Sequence, residues 1–291
     1  QREWIAWVVR HWRAQTPGLC EKSRDIGVSW LSTALACTMC LFHEGLAIGF
    51  GSRVVDLVDK IGTMKPLLPK ARMFMEYLPE EFRGGWLSWR DAPYMRINFP
   101  STGSIIMGEG GDQIGRGDRA SVYMVDEAAY LDRADLIEHS LSQTTNCRID
   151  MSSVRANTVF ADKRHAGKVD VFVFDWKDDP RKDQTWYDAL SLPGDEHLER
   201  PDGTKVFGKG LDPVTIAQEV DRDYSASVEG IVIPSAWVRA AVDALERLGI
   251  APTGARLLSL DVADEGVDKN ALCGTRGVQI DVERRCRDRR R

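Results

Sequence analysis

The sequence has no long apolar run: the roughly 18 consecutive hydrophobic residues that argue a membrane span occur nowhere in it. It also lacks a secretory start, because residues 1–10 are amphipathic and carry Arg2, Glu3 and Arg10. A first residue of Gln1 in place of Met is what a trimmed chain shows. Cysteine is sparse, six in 291 residues, and only Cys37 and Cys40 lie close together, with no second pair at zinc-site spacing. That pair falls in an apolar helical stretch and reads as two small buried hydrophobes, in keeping with a reducing cytoplasm. A basic excess is missing as well. The formal net charge is −5, so composition alone does not point to nucleic acid, and any DNA-contacting surface has to be local. What remains is 43% hydrophobic and 29% charged, ordinary for a soluble globular enzyme. At ~100–200 residues per domain the length allows one large domain, or one and part of a second.

The pattern along the chain is mixed α/β. Residues 1–14 read as a helix with Trp4, Trp7, Val8 and Trp12 on one side, broken at Thr16-Pro17-Gly18. A short strand at 19–22 runs into a loop and then a helix at about 29–44 that is apolar nearly all round, and therefore buried. Residues 46–50 read as a buried strand, and 53–77 as mostly helical with a break near Pro66 and Pro69. Residues 94–107 read as a hairpin with its turn at 100–103. The glycine-rich segment 108–117 leads to a strand at 121–125 capped by Asp126 and Glu127; a helix at 133–142 and strands at 147–151 and 169–176 follow. Such alternation predicts a mostly parallel sheet with helices on both faces and ligands at the carboxyl ends of the strands. From 178 to about 212 the chain is polar and turn-rich, a last helix is expected over 234–248, and a new strand begins at 256.

Two segments carry chemistry. Lys22-Ser23-Arg24-Asp25-Ile26-Gly27-Val28-Ser29 sits where a strand turns into a helix, which aims backbone N–H groups at one point and suits a phosphate. Set against the P-loop pattern G-x-x-x-x-G-K-[ST], Gly27 takes the second glycine and Ser29 the magnesium-binding hydroxyl. Lys22 falls on the first glycine and Val28 on the lysine, so two of four fixed residues are missing. The second segment, Ser121 to Glu127 (SVYMVDE), is an apolar strand ending in two acids, the Walker B pattern. Its Asp126 is expected to organise magnesium and its Glu127 to activate the attacking water. Both halves stand in the expected order within one α/β pattern.

Together with Val125-Asp-Glu-Ala-Ala-Tyr130, the loop resembles that of tailed-phage or prophage large terminase subunits, several of which carry their P-loop lysine at the start of the loop. Three further segments resemble the same family: Arg116-Gly-Asp-Arg119, Asp150-Met-Ser-Ser-Val154 followed by Asn157 and Phe160, and Asp175-Trp-Lys-Asp-Asp-Pro180. The resemblance covers about residues 1–270 and implies a P-loop NTPase (RecA/ASCE-like) motor over 1–249, with a linker subdomain from about 178. It implies an ATPase that uses ATP and Mg2+ and translocates viral double-stranded DNA into a procapsid in the cytoplasm of the bacterial host. The implied partners are the portal protein and a small terminase subunit, with a homo-oligomeric ring during packaging, a monomer alone, and no membrane. Gln1 would read the adenine, Lys22 would reach the β and γ phosphates, and Ser23, Arg24, Asp25, Ile26, Gly27, Val28 and Ser29 would line the nucleotide. Arg24 takes one of two roles, a built-in arginine finger or a salt bridge with Asp25 or Glu21. Ser152 and Ser153 would sense the γ phosphate and couple its loss to DNA.

Residues 250–291 resemble the start of the family's ribonuclease H-like nuclease domain, truncated, in which Asp261 would bind a catalytic metal. Asp264, Gly266 and Asp268 follow it. The stretch 283–291 (ERRCRDRRR) reads as disordered, or as sequence foreign to the native frame, and nuclease activity is not expected of this chain. Two other readings stand beside the packaging motor: a helicase-like P-loop DNA translocase, and an inactive prophage remnant that binds nucleotide without packaging.

Overall fold

The computed structural model describes residues 1–225, 241–242, 244–262, 270–277 and 279–286. The chain divides into two compact units, Gln1–Gly230 and Ile231–Arg291.

The first unit is built on a seven-stranded sheet of β1 (Gly18–Lys22), β2 (Ala47–Ser52), β3 (Arg96–Phe99), β4 (Ser104–Gly110), β5 (Val122–Asp126), β6 (Arg148–Ser152) and β7 (Asp170–Phe174), in the spatial order β3-β4-β2-β5-β6-β1-β7. Every pairing is parallel except that of edge strand β3 with β4. That exception is the expected hairpin, turning through residues 100–103. Strands β1 and β5 both pair in parallel with β6, so their carboxyl ends emerge on the same edge of the sheet with one strand between them.

Side chains alternate across the sheet, and the two faces bury two separate cores. Cys20, Ile106, Val122 and Met124 point into one, packed by α1 (Arg2–Ala14), α2 (Val28–Phe42) and α4 (Leu67–Tyr77) through Trp4, Trp7, Cys37, Cys40, Leu68 and Met75. Leu19, Met107, Tyr123 and Val125 point into the other, covered by α6 (Ala134–Thr144) and α7 (Val159–Ala166) through Ile137, Leu141 and Phe160. Helices therefore lie on both faces, as the sequence predicted, and Cys37 and Cys40 are free and buried. No helix among the described residues is long and apolar enough to cross a membrane.

The segment 53–77 is less helical than its composition suggested. After β2 the chain forms only the one-turn helix α3 (Val55–Val58) and loops to Pro66, the N-cap of α4. Pro69 does not break α4, because it occupies the first turn, where a missing N–H leaves no intrahelical bond unmade. Another one-turn helix, α5 (Ser88–Asp91), precedes β3. After β7 the turn-rich segment holds α8 (Gln184–Asp188), a two-stranded hairpin of β8 (His197–Glu199) and β9 (Lys205–Phe207), and α9 (Pro213–Glu219). A satellite core of Trp176, Leu190 and Val220 holds this region, with Trp176 stacked on Tyr187 at a 5.0 Å centroid distance.

The second unit contains α10 (Ala244–Leu248) and an antiparallel meander of β10 (Arg256–Asp261), β11 (Asn270–Arg276) and β12 (Gln279–Cys286). Residues 283–286 belong to β12 and pair with β11, which corrects the expectation of disorder there: the backbone on the side facing β11 is hydrogen-bonded in the sheet. Most of the helix expected over 234–248, together with Asp264, Gly266, Asp268 and the last arginines, lies outside the described residues.

The sheet's inner packing makes one position intolerant. A Cβ at Gly49 of β2 would fall 2.3 Å from the ring of Tyr123 on the neighbouring strand. Gly49→Ala is expected to lower unfolding stability by about 1–3 kcal/mol through overpacking, read as a reduced denaturant midpoint.

Candidate functional site

The site forms where β1 and β5 end. Residues 23–27 leave β1 and turn into α2, with Gly27 as N-cap at φ 82°, a left-handed conformation that glycine adopts without strain. The first N–H groups of α2 have no intrahelical acceptor and converge on the space above the strand ends. Glu127, also left-handed at φ 56°, turns the chain sharply out of β5 into a short 3₁₀ segment.

The two halves meet directly. The Ser29 hydroxyl donates to Asp126 Oδ2 at 2.8 Å, and Lys22 Nζ stands 4.0 Å from Asp126 Oδ1. That Oδ1 is buried with no hydrogen-bond partner. A buried carboxylate oxygen left unpaired is costly unless something positive joins it, and a hydroxyl beside an aspartate is the oxygen donor set that magnesium takes alongside phosphates. The residues therefore fit Mg2+ bound with nucleotide. No cluster of three or more His, Cys, Asp or Glu side chains able to hold a metal occurs among the described residues, so the rest of the ion's shell would come from water and ligand oxygens.

These groups line a cavity of about 720 Å³, of the size that takes a cofactor-sized ligand. Lys22, Arg24, Arg53, Lys65, Lys70 and Arg181 face four carboxylates there, Asp25, Asp126, Glu127 and Glu219. The cavity is thus locally cationic in a chain of net charge −5. Val28 is 2% exposed and packs into the core, so it contributes backbone but no charge where a standard P-loop has its lysine. A second cavity of about 540 Å³, lined by Gln1, Leu31, Phe174 and Pro180, shares Ile26, Gly27, Trp30 and Arg181 with the first. Gln1 is thereby placed beside the same loop, in a cavity that Asp178 and Asp179 also line.

Not every expected residue faces the cavity. Ser23 is fully buried outside it: its N–H donates to Phe174 O at 2.9 Å and its hydroxyl donates to Val220 O at 2.6 Å. The same oxygen accepts from Trp176 N–H and from Arg222, both at 3.1 Å. With one donor and two lone pairs all used, its hydroxyl has nothing left for a phosphate. Arg24 does form a salt bridge, but to Glu219 at 3.0 Å instead of Asp25 or Glu21, because Glu21 is taken by Arg164 and Arg222 and Asp25 by Lys209. Ser152 lies beneath the acids and accepts the Ala129 N–H at 3.1 Å, while Ser153 lines the cavity 3.4 Å from the Tyr130 hydroxyl. Burial pushes the Tyr130 phenol up from its ordinary value. Asp261 ends β10, in the other compact unit.

Several residues were invisible to motif reading. Arg53, just past β2, pairs with Glu127 at 2.9 Å; its signal was its place after a strand that neighbours β5. Arg222 spans Glu21, Ser23 and Asp175, tying the loop after β1 to the segment after β7. It stands about 200 residues along the chain from the first two, and no local pattern marks it.

No family model matches the chain, and no curated protein does either. Solved structures do. The ATPase domain of the large terminase of Thermus phage P74-26 is 16% identical with a TM-score of 0.52, covering 72% of this chain and 88% of that one. The large terminase of another thermophilic bacteriophage, solved in complex with ADP, is 13% identical with a TM-score of 0.52; the match covers 93% of this chain and spans 64% of that one. The chain has the fold of phage large terminase ATPase domains.

Ser23→Ala leaves the Trp176 N–H and one Arg222 donor without an acceptor in a buried setting. It is expected to cost about 1–3 kcal/mol of unfolding stability, measured by urea titration, while ATP affinity per folded molecule stays within about twofold of the parent.

Proposed function

We propose that the chain is the motor part of a phage or prophage large terminase subunit, an ATPase that drives double-stranded DNA into a procapsid. The observation that carries the reading is the junction of Ser29, Lys22 and Asp126 at the sheet edge, in the fold of terminase ATPase domains. In this reading Lys22 supplies from the start of the loop the charge that Val28 lacks, its long stem letting the ammonium follow the phosphates. Ser29 and Asp126 would hold Mg2+, which would supply positive charge against the phosphates. Glu127 takes the proton of the attacking water; its Oε2 is held by Arg53, so the carboxylate has to be free of that pair, or use its other oxygen, to serve as base. Gln1 and the cavity beside Trp30, Leu31 and Phe174 receive the base of the nucleotide. Arg24, bound to Glu219 at the end of α9, and Ser153, beside Tyr130, link the phosphate end of the site to the linker region, since Gln218 of α9 also donates to Tyr130 at 3.2 Å.

Double-stranded DNA, the portal protein, a small terminase subunit and a ring of like subunits are the partners of this function, carried out in the bacterial cytoplasm. Residues 250–291, with Asp261 at the end of a strand, are read as the beginning of the nuclease domain. An inactive remnant would bind nucleotide without turning it over, and a helicase-like translocase would hydrolyse ATP with single-stranded DNA as its better activator.

Turnover of ATP by the purified chain, alone and with double- or single-stranded DNA, separates the three. Measurable hydrolysis raised by double-stranded DNA is expected, and its absence in the presence of nucleotide binding would favour the remnant. Lys22→Ala should weaken ATP binding by at least about tenfold, the loss expected of a charged hydrogen bond to phosphate. Glu127→Gln should bind ATP as the parent does and lose about 10²-fold or more in turnover; normal hydrolysis by that variant would move the base elsewhere.

A further inference from the structure

Lys70 belongs to none of the motifs. It sits at the end of the first turn of α4 and reaches back toward the helix start, where its ammonium donates to the carbonyl oxygens of Lys65 and of Pro66, the latter at 3.1 Å. It also lies 5.9 Å from the ring centroid of Trp30, the residue that follows Ser29 in the loop helix. The residue is only 8% exposed, yet it lines the same cavity as Lys22, Ser29 and Asp126. Among the described residues it has no carboxylate within ion-pair distance, although a buried ammonium is costly unless a negative group answers it. Burial lowers its affinity for the proton, Asp126 opposes that, and the neighbouring Lys22 and Lys65 add to it. An ammonium has three donors; the two carbonyls use two, and one is left for a ligand.

We propose that Lys70 is a phosphate-binding residue, completing the charge on the nucleotide's phosphate chain opposite Lys22. This rests on the nucleotide reading of the cavity. Two lysines from different elements, one at the end of β1 and one on α4, would then divide the work of the single lysine that follows the second glycine of a standard P-loop. Placing the second cation on α4 also gives the helix over the loop a direct contact with nucleotide. Pinned by the Lys65 and Pro66 carbonyls, the ammonium is pre-set and loses little freedom when the phosphate arrives.

The test is equilibrium binding of Mg-ATP to the full chain and to Lys70→Gln and Lys70→Met, with the urea midpoint of each variant measured alongside. Glutamine keeps N–H donors for the two carbonyls but carries no charge, so it separates a phosphate role from a purely structural one. Lys70→Gln is expected to bind ATP at least about tenfold more weakly than the parent at an unfolding midpoint close to the parent's. Equal ATP affinity in the parent and Lys70→Gln would overturn the assignment of Lys70 while leaving the nucleotide site intact. Failure of the parent itself to bind Mg-ATP would overturn both. If Lys70→Met is too unstable to measure, Lys70→Gln decides alone.

Discussion

The hydrogen bond from Ser29 to Asp126 joins residues 97 positions apart, and the rest of the site depends on it. It exists because β1 and β5 run parallel on either side of β6, which brings their carboxyl ends to one edge about 10 Å apart, two strand spacings. The loop after one strand and the pair of acids after the other can then share one small volume. The bond also leaves the second oxygen of Asp126 buried and without a hydrogen-bond partner, the Lys22 ammonium standing 4.0 Å from it. A buried carboxylate oxygen in that setting favours a positive group beside it.

Charge is concentrated around one cavity. A chain with net charge −5 gathers six cationic side chains around one cavity, from β1 and its loop, from the segment after β2, from α4 and from the turn after β7. The loop itself is fastened from behind. Ser23 and Glu21 bond to Arg222, and Arg24 bonds through both its backbone and its side chain to Glu219, so the loop after β1 is tied to the segment that follows α9 and to the end of that helix. A shift of the loop on nucleotide binding would be felt at α9 without any long relay.

Much of the fold was legible from periodicity. The apolar runs at 19–22, 46–50, 121–125 and 147–151 became β1, β2, β5 and β6 within a residue or two, since strands buried on both faces read as short continuous hydrophobic stretches. The stretch 53–66 forms only one helical turn because its apolar residues, Val54, Val55, Leu57 and Val58, cluster without a sustained helical period. The loop and the acids were legible as a pair, since each lies in one short segment. Lys70, Arg53 and Arg222 were not, because tertiary packing alone brings them there. Ser23 illustrates the converse: it stands inside the motif, but its side chain turns into the β1–β7 junction instead of the cavity.

The central claim is that a loop without its usual lysine still binds Mg-ATP, with Lys22, Ser29 and Asp126 as the working groups. A crystal structure of the chain with Mg2+ and a non-hydrolysable ATP analogue tests it most directly. The account predicts the metal beside the Ser29 hydroxyl and the Asp126 carboxylate, with the Lys22 ammonium on the phosphates and the base in the cavity beside Gln1 and Trp30. Nucleotide bound away from the ends of β1 and β5, or bound there with Lys22 turned out of reach of every phosphate oxygen, would contradict it.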